Sequence, residues 1–271
     1  MAINRIDEEL VHRGLADTIQ QARLLVMEGK VYLGGGKVGN ASQKMKAGLA
    51  LTVRDGGPGY VSRGALKLKK ALEVFSVHPE GLVCIDIGAS TGGFTDVLLR
   101  AGARRVYAVD VGYGLLDWSL RNDPRVRVME KTNARSLHPD MFEEKPALGV
   151  TDVSFISLRA ILPRAFEVLG EEGRFIALVK PQFEARREQV GPGGIVRDPE
   201  VHRQVLLYVA EETNKLGWCC AGVSYSPITG TGGNMEFLMD MMPEGRAAQR
   251  MEASDFCRTV EEAWEAVARN E

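Results

Sequence analysis

The 271-residue chain holds only four cysteines and four histidines, and neither set is spaced for metal or disulfide chemistry. Cys84, Cys219, Cys220 and Cys257 show no C-x-x-C pattern, and only Cys219 and Cys220 adjoin, a pair that rarely bridges. Buried, reduced thiols in a cytoplasmic protein are the expectation. His12, His78, His138 and His202 are scattered, so no structural or catalytic metal is expected. No uncharged run approaches the roughly 18 residues that span a bilayer, and MAINRIDEELVHRG lacks the apolar core of a secretion signal. Membrane insertion and export are both disfavoured. Strong overall positive charge is absent too: the net charge is −2.

What is present is unevenly spread. Residues 1–70 carry twelve Lys/Arg against six Asp/Glu, a net +6 that leaves −8 for the remainder. A basic segment on an acidic body hints at a polyanion-facing module. Within it, Ile6, Leu10 and Leu15, then Ala22 to Val26, fall at helical spacing, with Asp17 or Thr18 placed to cap the second helix. Val31–Leu33 and Leu49–Val53 read as short strands around a glycine turn. The stretch RDGGPGY, 54–60, stops both helix and strand, so a small α+β domain over 1–55, a linker over 56–62 and a second domain over 63–271 are expected. Gly56, Gly57 and Gly59 mark that linker as a hinge.

Beyond it, helical and strand patterns alternate: helix Gly64–Val74, strand Leu82–Ile87, helix Phe94–Ala101, strands Arg105–Val109, Val126–Met129 and Leu148–Asp152. Helix Leu158–Leu169, strand Arg174–Val179 and helix Pro199–Leu216 follow. Such alternation predicts an α/β fold with a mostly parallel sheet. Cys219–Tyr225 and Met235–Met241 are joined too briefly to be anything but antiparallel. A polar terminal helix is expected after Glu244.

The run DIGASTGGFT, 86–95, follows a strand and opens a helix, which sets backbone N–H groups against a ligand at the carboxyl edge of the sheet. Dinucleotide loops need a glycine where Ser90 stands, so the loop suits a ligand without pyrophosphate, commonly S-adenosyl-L-methionine. Asp86, Gly88, Ala89, Ser90, Gly92, Gly93 and Phe94 are the candidate loop contacts. Asp110 ends the next strand at the distance where an acid takes ribose hydroxyls, and Asn133 follows the third strand, where an adenine contact is usual. With its antiparallel ending, the domain resembles the class I S-adenosylmethionine-dependent methyltransferases, Rossmann-like with a seven-stranded sheet and an antiparallel last strand.

The motif [DNS]-P-P-[YFW] of amino-group methylation is missing; TDVSF stands in its place. LVKPQFE, GNMEFLMD and SRGALKL bring Lys180, Glu236 and Lys67 toward the edge that carries Asp152. SRGALKL, DIGASTGGFT, TDVSF, LVKPQFE and NMEF, in that order, resemble the FtsJ-type ribose 2′-O-methyltransferases with their Lys-Asp-Lys-Glu tetrad. RIDEELVHRGLADTIQQARLLVMEGKVYLGG resembles an S4 RNA-binding domain, and the fusion is similar to the hemolysin A (TlyA) family. The resemblance implies 2′-O-methylation of ribosomal RNA, at cytidine in 16S or 23S RNA, with Lys67, Asp152, Lys180 and Glu236 as the tetrad. A ribose hydroxyl is a weak acid and needs a base, for which Lys180 is the candidate. Lys67 would add positive charge, and the two acids would orient the lysines.

The S4 resemblance departs at Ile19 and Gly34, where an arginine and a V-N-G turn are usual. Arg5, Arg23, Lys30, Lys37 and Arg63 remain as candidate phosphate contacts to ribosomal RNA or ribosomal subunits. The glycine-rich loop 181–198 is long enough for an active-site lid. Three rival readings are an assembly protein with an inactive methyltransferase fold, a membrane-lytic hemolysin and a methyltransferase acting on another RNA class; the intact tetrad opposes the first, the missing spanning segment the second, and the third stays open.

Overall fold

A computed structural model describes residues 3–27, 29–34, 36–46, 48–53 and 59–269, and the chain divides into two compact units, 1–64 and 65–271. Residues 56–58 of the expected linker, with Gly56 and Gly57 of the expected hinge, lie outside the described residues.

The first unit runs β1 (Ile3–Arg5), α1 (Ile6–His12), α2 (Ile19–Met27), β2 (Val31–Leu33), β3 (Gly36–Lys37), β4 (Lys44–Lys46) and β5 (Leu51–Val53). The two helices form where apolar spacing placed them: Ile6, Leu10, Ala22 and Val26 join Val31, Val38, Met45 and Leu51 in one small core. Thr18 caps α2, its Oγ1 accepting from the Gln21 N–H at 3.1 Å. Strands β3, β2 and β5 form an antiparallel sheet, and β1 pairs separately with β4. Strands β1, β3 and β4 escaped the sequence reading because INR, GK and KMK are too short to show alternation.

The second unit runs α3 (Ala65–Val74), β6 (Val83–Ile87), α4 (Gly93–Arg100), β7 (Arg105–Val109), α5 (Trp118–Arg121), β8 (Val126–Met129) and β9 (Leu148–Thr151). Then come α6 (Leu162–Leu169), β10 (Arg174–Val179), α7 (Pro181–Glu184), α8 (Pro199–Lys215), β11 (Trp218–Tyr225), β12 (Phe237–Pro243) and α9 (Ala253–Ala268). The sheet order is β11-β12-β10-β9-β6-β7-β8, and β12 alone runs against the rest. Strands buried on both faces explain the apolar runs VCI, before Asp86, and FIALV. Helices α8 and α9 pack on β11 and α6 on β9, so the core lies between sheet and helices.

Several boundaries shift by a residue or two from the sequence reading, and two stretches differ in kind. The expected helix 158–169 is a 3-10 turn, Leu158–Ala160, followed by α6. Pro163 is tolerated only in a first turn, so the α-helix starts beside it. Loop 181–198 contains α7 and 3-10 turns at Arg187–Gln189 and Pro192–Gly194.

Candidate active site

The carboxyl ends of β9 and β10 and the amino end of β12 meet at one edge. Residue pairs Ala177–Thr151 and Val179–Phe237 lie in register. The residue after each parallel strand, Asp152 and Lys180, and the residue before the reversed strand, Glu236, are therefore neighbours. Reversal of β12 is what sends its first residue, not its last, to this edge. Helix α3 adds Lys67 from its first turn.

Four charges form a chain. Glu236 Oε2 lies 2.7 Å from Lys67 Nζ, Asp152 Oδ2 lies 3.3 Å from it, and Asp152 Oδ1 lies 2.5 Å from Lys180 Nζ. Lys180 also donates to Ser154 Oγ at 2.7 Å. Burial opposes charge on Lys67, but Asp152 and Glu236 outweigh it and raise its pKa above the ordinary lysine value. Burial likewise works against the Asp152 carboxylate, and the two ammonium groups overcome it, holding the acid down at about 2. Lys67 is thus kept as an ammonium ion, while Lys180 shares one carboxylate and a hydroxyl.

Neighbours that the sequence reading missed hold this chain in place. The Asn234 side chain accepts from the Val196 N–H at 3.0 Å and donates to the Gly194 carbonyl at 2.9 Å. That fastens the 191–196 turn to the entry of β12, two residues before Glu236. A Cβ at Gly230 would overlap the Glu236 carboxylate, so a side chain there would push that carboxylate from its place. Glu184 accepts from Ser157 Oγ at 2.6 Å and from the Leu158 N–H at 2.7 Å, pinning the far end of the 152–158 loop. Phe155 in that loop is 79% exposed with φ +64°, and its ring lies 5.2 Å from that of Phe183. The signal for Asn234 lay inside the GNMEF motif itself; Glu184 and Phe155 had none beyond their proximity to LVKPQFE and TDVSF.

The glycine loop sits beside the chain. A Cβ on Gly88, φ +84°, would come within 2.9 Å of Val153 Cγ1, so this glycine lets loop and tetrad segment touch. Gly92 caps α4 in the left-handed region, and Gly93 opens the helix. Ser90 takes φ +52°, and its N–H donates to Asp110 Oδ2 at 2.8 Å; the Gly112 N–H donates to Oδ1 at 2.7 Å. Both Asp110 oxygens are thereby oriented by backbone and keep lone pairs for hydroxyl donors. Asp86 is fully buried and accepts from Thr95 Oγ1 at 2.7 Å, while its Oδ1 has no hydrogen-bond partner among the described residues. Burial, with Asp152 and Asp110 nearby, pushes its carboxyl up to about 7. An orphaned acid, an oriented acid and a glycine loop suit a cationic ligand carrying ribose hydroxyls, as S-adenosyl-L-methionine does. Ala89 lies buried in the loop. Phe94 is buried as well, which turns its ring into the core and leaves its backbone as the part at the helix N-terminus. Asn133 is exposed, and its Oδ1 caps the 3-10 turn Ala134–Ser136 through the Arg135 N–H at 3.0 Å.

The basic candidates of the first unit separate. Lys30 is corrected: it is 6% exposed and donates to the Val61 carbonyl, so its ammonium is spent inside the unit. Arg5 and Arg23 both bond the buried Asp7 carboxylate, at 2.8 and 2.9 Å. Lys37 is exposed and Arg63 half-buried, neither with a carboxylate partner among the described residues. No group of His, Cys, Asp and Glu among the described residues could hold a metal ion. No helix among them is long and apolar enough to cross a membrane.

Comparison with known proteins agrees with this geometry. Residues 60–241 match the FtsJ-like methyltransferase family, and residues 4–51 match the S4 domain. YqxC of Bacillus subtilis is 48% identical over 96% of this chain and 93% of its own length. The 16S/23S rRNA (cytidine-2′-O)-methyltransferase TlyA of Mycobacterium tuberculosis is 48% identical over 87% of this chain and 88% of its own. A solved structure from Streptococcus thermophilus, assigned to the hemolysins by name, superposes with a TM-score of 0.77 at 43% identity, covering 100% of this chain and 98% of that one.

Proposed function

Since the chain belongs to the FtsJ-like methyltransferase family and carries an S4 domain ahead of it, we propose that it methylates a ribose 2′-hydroxyl of ribosomal RNA, at cytidine. The observation that carries the reading is the chain Glu236–Lys67–Asp152–Lys180 set beside the glycine loop. S-Adenosyl-L-methionine supplies an electrophilic methyl carbon on a sulfonium centre. Asp110 and the loop Gly88–Gly93 hold it, and Asp86 meets its positive charge.

Within that frame each residue has a separate task. Lys180, in its neutral amine form, takes the 2′-hydroxyl proton and becomes an ammonium as the oxygen attacks the methyl carbon in line and the carbon–sulfur bond breaks. Lys67 does not compete for this role, because two carboxylates keep it charged. It steadies the oxygen and the neighbouring phosphate instead. Asp152 aligns the Lys67 ammonium and the Lys180 amine, and Glu236 holds Lys67 in place. Phe155, exposed beside Ser154, offers a face for the target base.

The test is transfer of tritiated methyl to isolated 30S and 50S subunits by wild type and Lys180→Ala, with the labelled RNA digested in alkali. Alkali-resistant label, reduced at least about 100-fold in the variant, supports the reading and names the subunit. Label that alkali releases, or none on either subunit while the cofactor binds, sinks it.

A further inference from the structure

Beside the cofactor loop lies a surface that the proposed reaction does not use. Leu115, Leu116 and Leu120 bury themselves, and a Cβ at Gly92 would overlap Leu116 and Leu120, so they anchor this segment on the glycine loop. The Asp117 N–H donates to the Thr91 carbonyl at 3.2 Å, a second anchor. With those side chains spent inward, Val111, Tyr113 and Trp118 are left 72%, 65% and 77% exposed. Neither the Tyr113 hydroxyl nor the Trp118 indole N–H is hydrogen-bonded among the described residues.

The charged groups around them are held in different ways. Asp110 accepts from Ser90 and Gly112, Asp117 from Ser119, Asp123 from Arg125, and Glu130 from the Gly114 N–H and Arg121. Asp123 and Glu130 are ion-paired with Arg125 and Arg121, while Asp110 and Asp117 are held by neutral donors. Lys131 and Arg135 have no carboxylate partner among the described residues. Lys131 stands in the left-handed region at φ +54°, its N–H on the Gly112 carbonyl at 3.1 Å and its Nζ 4.7 Å from the Tyr113 ring centre. Exposed aromatic rings beside cations that no carboxylate holds are the chemistry that takes bases by stacking and phosphates by charge.

We propose that Val111–Trp118 and the connection Lys131–Arg135 form a docking surface for an unpaired stretch of the RNA, its bases stacked on Tyr113 and Trp118. This rests on the reading of RNA as the substrate. The surface lies outside the tetrad and holds the strand next to the cofactor loop. Paired RNA keeps its bases stacked on one another and offers these rings little.

Trp118 reports on its own occupancy, because it is far more exposed than the buried Trp218. The full-length protein is titrated with a short cytidine-rich single-stranded RNA, with its duplex, and with S-adenosyl-L-methionine alone. Expected are quenching of tryptophan emission by the single strand, weaker at high salt and absent with the duplex, and an affinity at least about tenfold lower in Trp118→Ala and Tyr113→Ala. Trp118→Phe should lose the quenching and keep the affinity. Cofactor binding should be unchanged in all three, which also shows that they fold. Wild-type affinity in Trp118→Ala overturns the surface and leaves the methylation reading standing. So does quenching by the cofactor alone with none added by RNA, which would give the rings to adenine. A folded, cofactor-binding wild type that binds no RNA overturns both. Self-association that Trp118→Ala abolishes would assign the surface to a second copy and overturn the proposal.

Discussion

At the scale of single residues, the sharpest consequences come from Asp86. Its carboxyl is pushed from the ordinary 3.8 to about 7, first by burial and only partly relieved by Thr95. An acid that holds its proton more tightly folded than unfolded makes the fold less stable as pH rises between those two values. The loss is complete above about pH 7 and amounts to about 4 kcal/mol at most. Asp86→Asn is therefore expected to melt above wild type at pH 8 and level with it at pH 4, read by thermal denaturation. Equal melting at pH 8 would mean that the carboxylate is compensated. For the ligand the sign reverses, because a cation favours the ionised form. S-Adenosyl-L-methionine affinity should weaken as pH falls below 7 in wild type and stay level in Asp86→Asn; calorimetric titration at pH 6 and 8 decides it.

At the scale of elements, the tetrad exists because three strand ends and one helix start coincide, and the Asn234 clasp preserves the coincidence. Asn234→Ala removes one buried and one part-buried hydrogen bond and leaves the Val196 N–H and Gly194 carbonyl without that partner, a cost of about 1–3 kcal/mol. The expected outcome is a lower kcat with cofactor Kd unchanged, since the clasp serves the Glu236 side and not the glycine loop. A variant whose kcat stays at the wild-type level would show that the 191–196 turn has no part in holding Glu236. Glu184 acts at the other end of the site, and burial raises its carboxyl pKa while Ser157 and the Leu158 N–H draw it back.

At the scale of the whole molecule, each unit carries its own core and its own electrostatics. In the first unit Arg5 and Arg23 bond Asp7; the hydrogen bond from Arg5, against the cost of burial, lowers its carboxyl from 3.8 to about 2. A depressed acid stabilises the fold above its unfolded pKa and loses that effect as pH drops through the folded one. Asp7→Asn should cost this unit about 2 kcal/mol at pH 7 and nearly nothing at pH 2. Differential calorimetry at the two pH values checks it. Cofactor binding, carried on residues of the other unit, should not change. A loss of the same size at pH 2 would remove ionisation as the cause.

Much of this molecule was legible in its residues alone. Apolar spacing at Ile6, Leu10, Ala22 and Val26 dictated two helices, and the runs before Asp86, Asp152 and Lys180 dictated buried strands, because burial of apolar area is a local demand that the chain states openly. The order SRGALKL, DIGASTGGFT, TDVSF, LVKPQFE, NMEF carried the four tetrad residues. Tertiary structure alone decided which charges were free. Lys30 and Arg23 look alike in sequence, yet one is buried on a carbonyl and the other bonds Asp7. It alone decided that Lys67 sits between two carboxylates, and that Asn234 joins turns forty residues apart. A charge or a hydrogen bond takes its meaning from partners distant in the chain, and only the folded molecule brings those partners within reach.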